Sequence, residues 1–137
     1  MSKISEQKNA QRLKHRWVFE QANYLICEEN MKRREAFNKA YLTWRLLEAM
    51  GQGVVPFRYE KKTGEVREAR GTLCSGIAAD FDNYEYQTEE HKAFGQADNH
   101  GVFVYFDLDE NGFRSFAAKR LIDVSFNNDN DERTGKI

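Results

Sequence analysis

The chain has 137 residues, of which 40% are hydrophobic, 31% charged and 13% aromatic. This length is typical of one globular domain with an accessory element. A folded chain of this size buries enough surface to be stable without disulfides. The net charge of −1 excludes a chain that binds polyanions through bulk positive charge. The sequence has no apolar run of membrane-spanning length and no signal-peptide core, so we expect a cytoplasmic protein without membrane contact.

Charge is distributed unevenly along the chain. Residues 1–50 carry 10 lysines and arginines against 6 acidic residues, whereas residues 51–137 carry 11 against 16. The two cysteines, Cys27 and Cys74, lack the spacing of a metal or redox motif. We therefore expect free thiols in a reducing compartment, and a mildly basic N-terminal part joined to an acidic C-terminal part.

The first part of the chain has the composition of a helical arm, residues 1–51. Residues 5–50 contain neither Gly nor Pro and are rich in good helix formers. Asn30 is a favourable N-cap, and Gly51 and Gly53 stop a helix, so two helices are predicted over 5–28 and 31–50. Apolar residues recur at helical spacing in each: Ala10, Leu13, Trp17, Tyr24 and Met31, then Phe37, Ala40, Tyr41, Trp44 and Leu47.

Alternating patterns after residue 52 predict five strands, at 54–59, 66–73, 102–107, 113–117 and 121–126. Pro56 indicates an edge strand or a strand start, and Gly71 a bulge. A one-turn helix is predicted over 117–120. Residues 75–100 are predicted to form a long acidic insertion and residues 127–137 a disordered tail. Aromatic residues indicate that part of the insertion packs on the domain: Phe81, Tyr84, Tyr86 and Phe94.

This order predicts an α+β protein, in which two helices precede a small five-stranded SH3/Sm-like barrel at 52–126. Residues 55–59, 64–73, 105–108, 113–116 and 120–122 resemble the WYL-like Sm/SH3 β-barrel proteins of bacteriophages and mobile elements. The resemblance implies this architecture and a cytoplasmic accessory role, and it does not imply catalysis. It also places Arg114 and Arg120 where the larger family has arginines on a face that meets anionic ligands or nucleic acid.

The motif Asp107-x-Asp109-x-Asn111-Gly112 has two interpretations. It resembles the start of a calcium-binding loop, but the twelfth position, which must supply a carboxylate, is Ala118. An Asn-Gly pair between two alternating strands is instead a strong hairpin signal. We predict a turn and no metal site.

Surface arginines are the main candidates for ligand binding. A guanidinium group makes two-pronged contacts to phosphate, so we expect them to bind a nucleic acid or a nucleotide-like ligand. In the alternative, each arginine pairs with a nearby carboxylate such as Asp107, Asp123 or Glu68. The candidates are Arg58, Arg67, Arg70, Arg114 and Arg120.

A second set of residues predicts a protein partner. Basic residues beside Trp17 could bind a phosphate backbone or a partner helix, although Trp17 and Trp44 could equally anchor the helices on the barrel. The helical arm could also form a homo-oligomer. The acidic insertion could occupy the basic channel of a host nucleic-acid or defence enzyme, or could simply be a solvated loop. The candidates are Trp17, Arg33, Arg34, Tyr84, Glu85, Tyr86, Glu89 and Glu90.

Catalytic signatures are poor. His15, His91 and His100 have no metal-ligand spacing, and neither cysteine has a neighbouring histidine in the sequence. We expect a non-enzymatic accessory protein without a cofactor, which binds nucleic acid or a nucleotide-like ligand through its arginines. The alternative is a protein–protein interaction module or inhibitor.

Overall fold

The computed structural model describes residues 3–82 and 100–126, with side chains from residue 8 onward. Helices α1 (Lys3–Glu29) and α2 (Arg33–Met50) precede an antiparallel sheet. The strands are β1 (Val55–Glu60), β2 (Val66–Thr72), β3 (Val102–Asp107), β4 (Gly112–Ala117) and β5 (Leu121–Val124). A one-turn helix α3 (Ala79–Asp82) follows β2, and a 3₁₀ turn (Ala118–Arg120) joins β4 to β5. The predicted fold class is confirmed. No helix in the described ranges is long and apolar enough to span a membrane.

The connection between the two helices differs from the prediction. Asn30 does not cap α2, because its φ of 59° lies in the left-handed region and it follows the end of α1. Asparagine adopts this conformation more readily than most residues, so it reverses the chain here. The N–H of Met31 donates to the carbonyl oxygen of Leu25 at 3.1 Å. Lys32 stands at the N-cap of α2 without a side-chain capping bond.

The strands lie in the order β4-β3-β2-β1-β5. Pro56 is the second residue of β1, which pairs with β2 on one side and β5 on the other. The strand-start interpretation of Pro56 is therefore correct and the edge interpretation is wrong. Pro56 needs no N–H there, and its carbonyl oxygen accepts a hydrogen bond from the N–H of Ser125 at 2.9 Å.

Gly71 is required for close packing and does not form the predicted bulge. The pairing of β1 with β2 continues through Gly71 without a shift, and the irregularity lies between Arg58 and Tyr59, opposite β5. A Cβ atom at Gly71 would lie 2.7 Å from the Tyr105 ring and 3.0 Å from the Phe57 ring. The missing side chain allows these aromatic rings to meet inside the barrel.

The helices pack on the barrel rather than project from it. Trp17 is buried, with its ring centroid 5.4 Å from that of Trp44 and 5.7 Å from that of Phe103 on β3. At the other end of α2, the carbonyl oxygen of Met50 accepts a hydrogen bond from the N–H of Leu73 at 2.9 Å. The interpretation of Trp17 and Trp44 as packing anchors is thus correct.

The predicted apolar stripe of the first helix is only half right. Ala10 and Leu13 are exposed, and Leu13 retains 63% of its accessible surface. Buried positions begin at Trp17 and continue through Ala22 and Leu25. Among the side chains described from residue 8 onward, the buried core of α1 therefore begins only at Trp17.

Part of the predicted insertion packs against the outside of the sheet. Phe81 on α3 is buried, with its ring 5.7 Å from Phe106 and 5.8 Å from Phe113. This confirms the prediction that Phe81 packs down. The rest of the insertion from residue 83 to 99 and the predicted disordered tail at 127–137 lie outside the described residues.

The packing at Gly71 leads to a stability prediction. Gly71→Ala should lower the free energy of unfolding by about 1–3 kcal/mol, because the added methyl group forces buried rings apart. Gly53→Ala is the matched control, since nothing lies within 4 Å of a Cβ at that position. Denaturant unfolding of both variants measures the difference. Equal stability of the two would contradict this account of Gly71.

Candidate functional site

Asp107, the last residue of β3, organises the turn between β3 and β4. Its Oδ1 atom accepts hydrogen bonds from the N–H groups of Asp109 at 2.9 Å and Glu110 at 3.2 Å. Asn111 has a φ of 53°, and Gly112 then begins β4. The predicted hairpin is confirmed. Within residues 3–82 and 100–126, no group of three or more His, Cys, Asp or Glu residues could bind a metal ion.

Two arginines from the neighbouring strands converge on Asp107. Arg67 on β2 lies 3.5 Å from Asp107 Oδ2, and Arg114 on β4 lies 3.6 Å from the same atom. The carboxylate is almost fully buried, whereas the Arg114 side chain remains 36% exposed. These residues form the candidate site, which we call the arginine site: Arg67, Asp107 and Arg114.

The two guanidinium groups of the arginine site are not saturated by hydrogen bonds. Distances of 3.5 and 3.6 Å exceed the usual range of N–H···O hydrogen bonds, so these are ionic contacts. Arg114 also lies 3.5 Å from Glu110, and its buried Nε atom has no hydrogen-bond acceptor in the described part of the chain. That Nε atom is closed to solvent, so a further acceptor could bind only the outer N–H groups of these two partly exposed side chains.

A pair of tyrosines lies deeper in the barrel beside this site. The hydroxyl oxygens of Tyr59 and Tyr105 are 2.8 Å apart and buried. Burial raises the pKa of Tyr105 well above its usual value, and the hydrogen bond with Tyr59 and the charge of Asp107 raise it further. The Tyr105 hydroxyl group therefore stays neutral at physiological pH.

The other three predicted arginines are already committed to hydrogen-bonded ion pairs. Arg58 makes two-pronged contacts to Asp123, with its Nε 3.0 and 3.1 Å from the two carboxylate oxygens. Arg70 binds Asp109 at 2.7 and 3.1 Å, and this hydrogen bond lowers the pKa of the Asp109 carboxyl group. Arg58 and Arg70 thus each pair with a nearby carboxylate, as the alternative interpretation of the surface arginines predicts.

Arg120 is held in the same manner. Its NH1 group donates to Glu60 Oε1 and to the carbonyl oxygen of Lys61, each at 3.2 Å. The five predicted arginines therefore do not form one continuous face. Arg67 and Arg114 meet at Asp107, whereas Arg58 and Arg70 line a separate cleft of about 560 Å³ together with their partners Asp123 and Asp109. Sequence reasoning missed this division because strand neighbours are not visible in the chain order.

The predicted partner-binding residues are placed differently from one another. Trp17 is buried against the barrel, so its ring does not form part of a partner surface. Arg33 and Arg34 are exposed, and the Arg33 guanidinium lies 5.7 Å from the centroid of the Phe37 ring. The remaining candidates lie outside the described residues: Tyr84, Glu85, Tyr86, Glu89 and Glu90.

The barrel half of the chain carries a family pattern. The family model described as WYL_2, Sm-like SH3 beta-barrel fold, matches residues 43–122, which is more than half of the chain. The chain belongs to this family. The match begins inside α2 and ends in β5, so the WYL_2 barrel contains the arginine site and excludes α1. No curated protein and no solved structure matches the chain.

The buried tyrosine pair of this WYL_2 barrel predicts a loss of stability in alkali. Because the folded-state pKa of Tyr105 is raised, the unfolded chain loses this proton first as the pH rises above 10. Stability is therefore retained below pH 10 and falls above it, by up to about 1.4 kcal/mol per pH unit from this group.

Tyr105→Phe should reduce the slope with which the free energy of unfolding falls above pH 10, because the ionisable hydroxyl group is removed. Denaturant unfolding at a series of alkaline pH values measures it, and tyrosinate absorbance reports the ionisation directly. Tyr41→Phe is the control, because Tyr41 lies on the exposed surface of α2. An unchanged slope in Tyr105→Phe would contradict the assignment.

Proposed function

We propose that this WYL_2 barrel is a non-enzymatic binding module of a phage or mobile element and acts in the cytoplasm. Its ligand is a nucleic acid or a nucleotide-like molecule, bound at the arginine site. One observation carries the proposal. Two guanidinium groups converge on a single buried carboxylate at 3.5 and 3.6 Å, and within residues 3–82 and 100–126 their N–H donors are not filled by hydrogen bonds.

The chemistry of the site favours a phosphate group as the element bound. Phosphate oxygens accept paired hydrogen bonds from the planar guanidinium group, and Arg67 and Arg114 approach from opposite sides of β3. Asp107 holds both side chains in place without satisfying their donors. A bound phosphate would fill those donors and would not have to displace a hydrogen-bonded carboxylate.

Nearby acidic residues limit the size of the anionic ligand. Asp107 ends β3, Asp109 and Glu110 lie on the turn that follows it, and Arg70 is bound to Asp109. A long duplex would bring many phosphates close to these carboxylates, and its electrostatic attraction would be small. A nucleotide or a short single strand, which presents one or two phosphates, fits this charge distribution better.

Arg114→Gln tests this site. It should weaken binding of a short oligothymidylate by about tenfold, because a charged hydrogen bond to phosphate is lost. With two arginines engaged, the affinity of the unaltered protein should fall about sevenfold between 50 and 200 mM salt. Fluorescence anisotropy of the labelled oligonucleotide, with ATP as competitor, measures both effects.

Arg70→Gln is the matched control for this test. This substitution also removes one positive charge from the sheet. The Arg70 guanidinium is already bound to Asp109, so we expect little change in the affinity for the oligonucleotide. Equal losses in Arg70→Gln and Arg114→Gln would indicate unspecific charge attraction. No binding by the unaltered protein at low salt would reject the proposed ligand.

A second candidate function, a protein–protein contact, rests on the helical arm. Large apolar side chains remain exposed on both helices: Leu13, Phe19 and Tyr41. They favour a contact with a second copy of the chain, because helices are stabilised mainly by burying an apolar face. The pairing of Trp17 with Trp44 lies within one chain and does not supply that contact.

Light scattering tests the second candidate. If the arm forms a dimer, Leu13→Glu should convert it to a monomer, since a charge would be buried at the contact. Val66→Glu is the control, because Val66 is similarly exposed but lies at the start of β2. A protein that is already monomeric at high concentration would exclude self-association through the arm.

A further inference from the structure

The outer edge of β4 has open backbone hydrogen-bonding groups. In the described part of the chain β4 pairs only with β3. The N–H of Ala118 donates to the carbonyl oxygen of Gly101 at 2.8 Å, just beyond the paired residues Ala117 and Val102. Because bonded and non-bonded pairs alternate in an antiparallel ladder, Phe116 faces β3 and Ser115 and Ala117 direct their N–H groups outward.

These outward groups have no partner within the described residues. Neither Ser115 nor the N–H of Ala117 takes part in a hydrogen bond with residues 3–82 or 100–126, and Ser115 is exposed. An open row of this kind is a template for an added strand. Every peptide has the same backbone groups, so these groups do not distinguish one partner from another. The surface beside the β4 edge therefore determines which side chains a bound strand should carry.

A cleft of about 410 Å³ runs beside this edge, between the C-terminal part of α1 and the turn that follows β1. We call it the edge cleft; Ser115 and Ala117 form part of its wall, and Tyr24 contributes an aromatic surface. Val102, on the neighbouring strand, also lines it and keeps 51% of its surface exposed. The cleft thus offers apolar contacts to a chain lying along β4.

The charge of the edge cleft is positive. Three cationic side chains line it, against the single carboxylate of Glu29: Lys62, Lys119 and Arg120. Lys119 contacts Glu29, and Arg120 binds Glu60. The exposed Lys62 forms no ion pair in the described part of the protein, so it is available to an acidic group of a ligand.

We propose that the edge cleft binds an extended acidic segment of a partner protein, which adds to the sheet as a strand beside β4. The backbone of the segment pairs with Ser115 and Ala117. Alternate side chains of a strand point to opposite faces, so apolar side chains contact Tyr24 and Val102 while acidic ones face Lys62. This site uses none of the residues of the arginine site.

Ser115→Pro tests whether a bound peptide pairs with the edge of β4. The substitution removes one outward N–H group, and proline is tolerated on edge strands. The probe is a synthetic heptapeptide of alternating glutamate and valine, followed by isothermal titration and by amide hydrogen exchange. We expect slower exchange at Ser115 and Ala117 in the complex, and about tenfold weaker binding to Ser115→Pro. Ser115→Thr keeps the N–H and should bind normally, and thermal unfolding checks that both variants fold.

Lys62→Glu tests the charge of the cleft at a position remote from β4 in the chain. It should weaken binding of the glutamate peptide and strengthen binding of the corresponding lysine peptide. The proposal is wrong if the glutamate peptide does not bind the unaltered protein, or if Ser115→Pro binds it as tightly. It is also wrong if oligothymidylate displaces the peptide from the cleft, or if Ser115→Pro instead dissociates a homodimer.

Discussion

Aromatic side chains inside the barrel pack against Gly71, and the other parts of the structure are positioned by this contact. The absent side chain lets the rings of Phe57 and Tyr105 approach to a centroid distance of 5.0 Å. With Tyr105 held there, its hydroxyl meets Tyr59, and Asp107, two residues later on β3, points to the same face of the strand. The buried carboxylate of Asp107 therefore lies between Arg67 of β2 and Arg114 of β4.

The same packing attaches the helices. Phe103 lies two residues before Tyr105 on β3 and also faces the barrel interior. Trp17 of α1 contacts the Phe103 ring. The C-terminal end of α2 is tied to β2 by the carbonyl of Met50, which accepts from the N–H of Leu73. The two regions that we propose for binding are therefore separate: the arginine site at one end of the interior face, and the edge cleft where β4, α1 and the 3₁₀ turn meet.

Local signals predicted most elements because each signal depends on nearby residues alone. Alternation in β2 and β3 and the Asn-Gly pair after Asp109 specify strands and a turn whatever the surroundings. Asn30 was assigned wrongly because the same residue favours both the N-cap and the left-handed end of a helix. Gly71 was misassigned as a bulge because its role comes from rings that are distant in sequence.

The sequence by itself determined the α+β order of elements, the five strands and the β3–β4 turn, since propensity and periodicity act over a few residues. It also supplied five candidate arginines, of which the family resemblance singled out Arg114 and Arg120. Only the tertiary structure decided that Arg58, Arg70 and Arg120 each make a hydrogen-bonded ion pair with a carboxylate of their own, while Arg67 and Arg114 share one buried carboxylate. The physical reason is strand order: β2 and β4 flank β3 in space, and which charges lie within a few ångströms depends on that pairing and not on distance along the chain.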